Sequence, residues 1–181
     1  MEKRRKLQEQ EEARVTREGS FSRQAFLGIE KNRMRIFEKG KKADLDRLWK
    51  RKADLLLKFK EWCAQRQIPL VIAIIPDQFQ VDQDLRQEIY QTYQVSAADL
   101  DLTYPNRLLS GYCRQHGILC LSGYCRQHGI LCLDLLAPFQ EQGASQTLYK
   151  LRDSHWNEAG NRLAGEHIFN FLTQHRLVGG R

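Results

Sequence analysis

Hydrophobic and polar positions along the chain follow helical spacing first and strand-like spacing later. After a highly charged run at residues 1–19, residues 23–39 predict a helix with a modest apolar face. Residues 44–67 carry a wide apolar stripe at helical spacing and predict a longer helix. The run LVIAII at residues 70–75 is apolar throughout, which is typical of a strand buried in a parallel sheet. Because residues 82–93 predict another helix, the order of elements indicates an α/β fold with right-handed crossovers.

The second half of the chain predicts one more strand and a C-terminal helix. Residues 130–136, ILCLDLL, have the composition of a strand, and residues 138–146 predict a polar loop. Asn157 stands where the N-cap of the last helix belongs. Since functional sites of parallel sheets lie at the carboxyl ends of the strands, we expect Asp77 and Gln78 close to such a site.

Twelve residues, LSGYCRQHGILC, occur twice in succession at residues 109–120 and 121–132. The identity of the copies indicates a recent duplication or an assembly error, since a solenoid would need at least three copies. One copy suffices for a helix end, a glycine turn and a strand, so we expect the first copy to lengthen the helix or to add a short edge strand. A continued helix would rotate equivalent side chains by about 120°, so the two copies are not expected to bury the same face.

The repeat also supplies cysteines and histidines at spacings that invite a zinc interpretation. The residues are Cys113, His116, Cys120, Cys125, His128 and Cys132. Structural zinc sites usually show two short paired knuckles separated by a longer loop, and this pattern does not. We therefore expect no metal site, and we interpret the cysteines as small apolar residues of helix and strand. The total of five cysteines is odd and does not indicate a disulfide framework.

Positive charge is concentrated in the first third of the chain. Residues 1–66 hold 20 Lys and Arg against 11 Asp and Glu, whereas residues 67–181 hold 9 against 11. Such a basic helical segment is suited to a partner protein, nucleic acid, anionic lipid or an acidic polymer. Interleaved Glu residues and the lack of an aromatic stacking platform favour solvated helix faces instead.

No run of about 18 apolar residues and no signal-peptide core occur, so the sequence predicts a cytoplasmic chain without a membrane span.

Asp153 and His155 form the candidate catalytic pair. In an extended or turn backbone, side chains two residues apart leave on the same side, where a carboxylate can accept the Nδ1 hydrogen of an imidazole. This contact would fix the tautomer and leave Nε2 as a base. An orienting acid, a base and a supporting helix make up two thirds of a catalytic triad. The same dipeptide spacing also occurs in solvated turns and helix caps, and that alternative stays open.

At these residues the chain resembles the SGNH (GDSL) hydrolase family, whose last block places an Asp and a His before Asn, Gly and a C-terminal helix. The block here reads Asp153-Ser154-His155-Trp156-Asn157, followed by Gly160. It is most similar to the carbohydrate O-acetyltransferase and esterase branch, over roughly residues 43–175. The resemblance implies a flavodoxin-like three-layer fold, a serine nucleophile, and as substrate an O-acylated carbohydrate, above all an O-acetylated one, or a small ester. It implies no metal or organic cofactor, because acyl transfer through serine requires none.

The family's nucleophile block is not recognisable in this chain. Its nearest match is Glu18-Gly19-Ser20-Phe21-Ser22. Because the preceding ARVTR is not an apolar strand, neither Ser20 nor Ser22 is expected to be the nucleophile. We expect the chain to correspond to the second half of such an enzyme. Two strands make a poor core, so we also expect uncovered apolar surface on residues 44–67 and 70–75, self-association or a marginally stable fold.

The length of 181 residues and the apolar content of 41% suit one domain with a sizeable core. We predict a basic helical extension at 1–42, a partial flavodoxin-like α/β domain with few parallel strands at 43–175, and a disordered tail at 176–181. The first functional hypothesis is a remnant of an SGNH-type serine ester hydrolase or O-acyltransferase. The alternative is a non-catalytic helical interaction module that binds a partner protein or polyanion through its basic N-terminal third.

Overall fold

Two long amphipathic helices precede the first strand, as their hydrophobic patterns predict. The computed structural model describes residues 19–115, 119–120 and 130–178. In chain order its helices and strands are α1 (Arg23–Met34), α2 (Lys42–Gln65), β1 (Leu70–Ile74), α3 (Gln78–Val81), α4 (Gln83–Tyr93), α5 (Tyr104–Gln115), β2 (Leu119–Cys120), β3 (Ile130–Asp134), α6 (Leu136–Gly143) and α7 (Glu158–Gln174). Short 3-10 turns at Arg35–Phe37 and Lys39–Lys41 join α1 to α2, and another at Ala97–Asp99 precedes α5.

The strands form a parallel sheet in the order β1-β3-β2. β1 and β3 pair along their full length, from Leu70 opposite Ile130 to Ile74 opposite Asp134. β2 adds only two residues at the other side of β3. The described chain is therefore a mixed α/β structure that is mostly helical, and the α/β prediction is confirmed at this level.

The tandem repeat contributes to two adjacent strands. Leu119 pairs with Leu131 and Cys120 pairs with Cys132, which are equivalent positions of the two copies. The first copy thus supplies the end of α5 and a short edge strand, as predicted. Residues 116–118 and 121–129, with His116, Cys125 and His128, lie outside the described residues.

The polar loop predicted at residues 138–146 is wrong in its first part, because α6 extends to Gly143. Leu136 and Phe139, three residues apart, are both buried and give the helix an apolar side. The Asp134 carboxylate accepts a hydrogen bond from the Leu136 amide (3.0 Å). Pro138 lies in the first turn, where a missing N–H costs nothing.

In the part of the chain that the structure describes, three clusters of buried side chains form the core. The first joins α1 to α3 and α4 and contains Phe26, Leu27, Met34, Phe37, Phe79, Leu85, Ile89 and Leu100. The second lies beneath the segment that leads into α7 and contains Val81, Leu135, Phe139, Leu148, Tyr149 and Ala164. The third lies between the sheet and α5 and contains Ile74, Cys113 and Cys132.

The predicted uncovered apolar surface is present on α2. Leu48, Leu55, Phe59 and Trp62 are between 46% and 62% exposed, and the first four residues of β1 are only half-buried. The expected exposure is therefore confirmed, while self-association stays a prediction. None of the described helices is long and apolar enough to cross a membrane.

The chain beyond α7 begins with a hydrogen-bonded turn. The Arg176 amide donates to the Thr173 carbonyl (3.0 Å), and the Leu177 amide donates to the Leu172 carbonyl (2.8 Å). Residues 179–181 of the predicted tail lie outside the described residues.

Candidate active site

The segment that leads into α7 is a tight hairpin closed by backbone hydrogen bonds. The Lys150 amide donates to the His155 carbonyl (2.9 Å), and the Asn157 amide donates to the Leu148 carbonyl (3.0 Å). Arg152 at its tip has a φ of +48°, in the left-handed region that favours glycine. The hairpin therefore places residues 153–155 at an ordered turn and not in a free loop.

Two aromatic side chains hold this hairpin against the core. Trp156 and Tyr149 pack on Phe139, with ring centroids 4.9 and 6.4 Å apart respectively. The Tyr149 hydroxyl donates a hydrogen bond to the Pro76 carbonyl (3.0 Å), just beyond β1. Burial raises the pKa of Tyr149, which keeps its hydroxyl protonated as a donor. These contacts fix the hairpin at the carboxyl end of β1.

The start of α7 is fixed by the predicted N-cap. The Asn157 side-chain oxygen Oδ1 accepts a hydrogen bond from the Gly160 backbone amide (2.9 Å). Its side-chain nitrogen Nδ2 donates to the Thr147 backbone carbonyl (2.8 Å). A Cβ at Gly160 would lie well inside contact distance of the Leu148 carbonyl oxygen and 3.0 Å from the Trp156 Cβ. Glycine is therefore the residue that allows α7 to approach the hairpin this closely.

The predicted contact between Asp153 and His155 is present. The Asp153 Oδ1 lies 2.5 Å from the His155 Nδ1 and also accepts from the His155 backbone amide (3.0 Å). The carboxylate is 14% exposed, whereas the imidazole is 79% exposed. Because the carboxylate engages Nδ1, Nε2 is the ring nitrogen available to a reacting group.

Ser20 bonds to the acid of this pair. Its hydroxyl donates to the Asp153 Oδ2 (2.7 Å). Burial alone would raise the pKa of Asp153, but the hydrogen bonds from Ser20 and His155 outweigh it and hold that pKa below its ordinary value. In a serine triad the imidazole lies between serine and acid, whereas here the acid lies between serine and imidazole. Ser20 thus supports Asp153, and Ser22 caps α1 by accepting from the Ala25 amide (3.2 Å).

His155 lines a cleft of about 650 Å³ beside the carboxyl end of β1. Asp77 lines the same cleft, as the position of the strand end predicts. Gln78 does not: it lines a separate cavity, and its side-chain amide donates to Asp82 (3.1 Å). The prediction that both residues lie near the site is therefore right for Asp77 and wrong for Gln78, because the start of α3 turns the second side chain away.

Asp77 belongs to a cluster of charged groups that the sequence analysis missed. Arg33 lies 2.7 Å from the Asp77 Oδ2 and 3.4 Å from the Glu30 Oε1. Burial raises the pKa of Glu30 to about 7, and the negative charge of Asp77 adds to this effect while Arg33 opposes it. The spacing of Phe26, Glu30 and Met34 on α1 could have revealed that Glu30 shares the buried face.

A buried amide network links α3, α5 and the end of β3 beside the cleft. The Gln80 side-chain nitrogen donates to the Asn106 Oδ1 (2.7 Å), and the Asn106 side-chain nitrogen donates to the Asp134 Oδ1 (2.8 Å). Gln80 and Asn106 also line the cleft. Because these residues lie far apart along the chain, no local pattern indicated that they would meet.

Within residues 19–115, 119–120 and 130–178, no group of three or more His, Cys, Asp or Glu side chains is arranged to hold a metal ion. Of the six repeat residues, Cys113 and Cys132 are buried beside Ile74. His116, Cys125 and His128 lie outside the described residues, so the zinc interpretation is not tested there.

The fold and the site together define a mixed α/β protein with an Asp–His pair at the carboxyl end of a parallel sheet. The chain matches no family model, no curated protein sequence and no solved structure.

Proposed function

We propose that Asp153 and His155 are the acid–base pair of an SGNH-type serine ester hydrolase or O-acyltransferase. The observation that carries the proposal is the 2.5 Å contact between the carboxylate and Nδ1 of an exposed imidazole that lines a cleft. The resemblance of the Asp153–Gly160 block to this family, and to its carbohydrate O-acetyltransferase and esterase branch, supports an O-acyl ester as the substrate.

In this mechanism the His155 Nε2 accepts the proton of a serine hydroxyl as the oxygen attacks the ester carbonyl. The imidazolium then gives this proton to the departing alkoxide, and the acyl group remains on the serine. Water or an acceptor hydroxyl repeats the sequence and releases the acyl group. Asp153 keeps the imidazole in one tautomer and stabilises the imidazolium. We do not assign the serine to Ser20 or Ser22, because Ser20 bonds to the acid and Ser22 caps a helix.

Turnover of p-nitrophenyl acetate tests this proposal. His155→Ala is expected to lower kcat/KM by about 100-fold or more, the usual contribution of a general base. The matched control is His167→Ala, since His167 lies on α7 and does not line the cleft. The double variant Ser20→Ala with Ser22→Ala should retain turnover. Equal loss in both histidine variants, or no saturable turnover in the parent protein, would contradict the proposal.

The exposed stripe of α2 favours a second candidate, a helical interaction module. Leu48, Leu55, Phe59 and Trp62 recur at intervals of seven, four and three residues, so they form one stripe about 21 Å long. Basic residues flank this stripe: Arg51, Lys52, Lys58 and Arg66. Apolar residues with a basic border suit a partner protein that presents an apolar surface with acidic neighbours. A polyanion would use the basic border alone.

Binding to heparin distinguishes a polyanion from a partner protein as the ligand of α2. An interaction through charge alone should weaken steeply as salt is raised, and Arg51→Glu should weaken it while Phe59→Ser should not. A partner protein that uses the whole stripe should lose affinity with both variants. Turnover that depends on His155, with no measurable binding of either kind, would favour the hydrolase.

A further inference from the structure

The cleft beside His155 has two walls of different chemistry. One wall comes from the turn before α2, from α2 and α5, and from the end of β1, and it is mostly apolar. Its main residues are Ile36, Leu45, Trp49, Ile75, Leu108 and Leu109. The hairpin and α7 form the other wall and contribute Lys150, Ser154, His155 and Asn161. Arg33, Asp77, Gln80 and Asn106 add further polar groups to the lining. A ligand that fills this cleft therefore meets apolar groups on one side and polar groups on the other.

The apolar wall is open to solvent at its edge. Ile75 is 63% exposed and Ile36 is 40% exposed, although both are large aliphatic residues. Covering such side chains with an apolar group removes apolar surface from water and is favourable. A sugar ring placed against the same wall could form hydrogen bonds only through the hydroxyls that point to the polar residues of the cleft.

The size of the cleft indicates a ligand larger than an acetyl group. Its volume of about 650 Å³ lies in the range of sites that enclose whole small molecules. A single methyl group beside the imidazole cannot also fill the space between α2 and α5. The wall residues on these helices, Leu45 and Leu108, would then remain without a contact from the substrate.

We propose that this cleft binds the apolar acyl chain of a medium-length ester against α2 and α5, with the ester group beside His155. This assignment names the acyl group for the proposed hydrolase and rests on that function for the position of the ester. The binding of the chain itself does not depend on catalysis. Lys150 on the polar wall is suited to the carboxylate that is left after hydrolysis.

Octanoate binding tests the site without any turnover. The chain has three tryptophans, of which Trp49 and Trp156 line the cleft and Trp62 does not. In a Trp62→Phe background, the fluorescence of the two remaining indoles should change saturably with octanoate. The Kd obtained in this way should be at least tenfold higher for acetate than for octanoate. A response that does not saturate, or equal responses to the two acids, would overturn the proposal.

Two neighbouring leucines of α2 provide matched variants. Leu45 lines the cleft, whereas Leu48 is 58% exposed and does not. Leu45→Asn should weaken octanoate binding at least tenfold, and Leu48→Asn should leave it unchanged. Ile75→Asn gives a second cleft variant at a position too exposed to be needed for folding. If all three variants bound octanoate like the parent, the chain would not lie against this wall.

A chain-length series separates this proposal from the proposed function. We expect kcat/KM for p-nitrophenyl octanoate to exceed that for the acetate at least tenfold. Octanoate binding without turnover of either ester would contradict the hydrolase and leave the acyl site standing. Turnover of the acetate that depends on His155, without octanoate binding, would contradict the acyl site and leave the hydrolase standing.

Discussion

The hairpin before α7 and the outer face of α2 differ in whether their side chains and backbone groups have partners within the described chain. In the hairpin, backbone groups, the Asn157 cap and two aromatic anchors all find partners within the described chain. On α2, four large apolar side chains face solvent. The hairpin is held in place by contacts within the chain. The outer face of α2 instead exposes an apolar surface that no described residue covers. Substitutions should therefore affect folding in the hairpin and association on α2.

The largest effect is expected at Gly160. Gly160→Ala forces a Cβ into the Leu148 carbonyl and against Trp156, so it should lower the free energy of unfolding by about 3 kcal/mol. Gly165→Ala in the same helix is the control, because nothing lies within 4 Å of its Cβ. That variant should gain up to about 1 kcal/mol from lower backbone entropy in the unfolded chain. Equal unfolding midpoints in urea for the two variants would mean that the hairpin does not pack on α7 as described.

The next largest effect concerns the buried acid Glu30, which lies beside the cleft residue Arg33, and it depends on pH. Folding raises the pKa of Glu30 from 4.5 to about 7, so the folded protein holds a proton that the unfolded chain releases. The stability from this proton is fully present below pH 4.5 and is lost as pH rises toward 7, by on the order of 3 kcal/mol. Glu30→Gln should remove this slope in urea unfolding measured across the window.

Glu61→Gln, on the exposed side of α2, is the control for this pH series. It should leave the slope between pH 4.5 and 7 as it is in the parent protein. The lowered pKa of Asp153 acts below its ordinary value of 3.8, outside this window, so it does not obscure the measurement. A parent protein whose free energy of unfolding does not change from pH 4.5 to 7 would contradict the raised pKa of Glu30.

The difference between the two regions also explains what the sequence could predict. Asn157, Asp153 and His155 interact with residues a few positions away, so their contacts follow from local spacing. Helix and strand patterns likewise depend on short-range periodicity, and α1, α2, β1 and α7 lie close to their predicted places.

Contacts between distant residues could not be predicted in this way. The bond from Ser20 to Asp153 spans 133 positions, and no periodic pattern contains it. The pairing of Gln80 with Asn106 has the same character. α6 was missed because its apolar side consists of only two buried residues, Leu136 and Phe139, in a polar segment that contains a proline.

A smaller effect is expected from the bond between Ser20 and Asp153. Ser20→Ala removes a donor to a carboxylate and should cost about 1 kcal/mol at pH 7. Because this bond helps to lower the pKa of Asp153, its contribution is present above pH 3.8 and is lost as the carboxylate is protonated in acid. Ser22→Ala should cost a similar amount through loss of the α1 cap, but its cost should not change between pH 3 and 7. If the stability costs of the two variants depended on pH in the same way, Ser20 would not be bonded to the Asp153 carboxylate.

The smallest effect on folding is expected at the centre of the α2 stripe. Leu55 is 62% exposed, so Leu55→Gln should change the free energy of unfolding by no more than about 0.5 kcal/mol. Its neighbour Leu56 packs against the cluster of Ile74, Cys113 and Cys132, and Leu56→Gln should cost at least about 2 kcal/mol. If the stripe drives self-association, sedimentation of the parent protein should show a concentration-dependent mass that Leu55→Gln lowers. A parent protein that stays monomeric would mean that the exposed leucine serves neither folding nor self-association, and the stripe would then require a different partner.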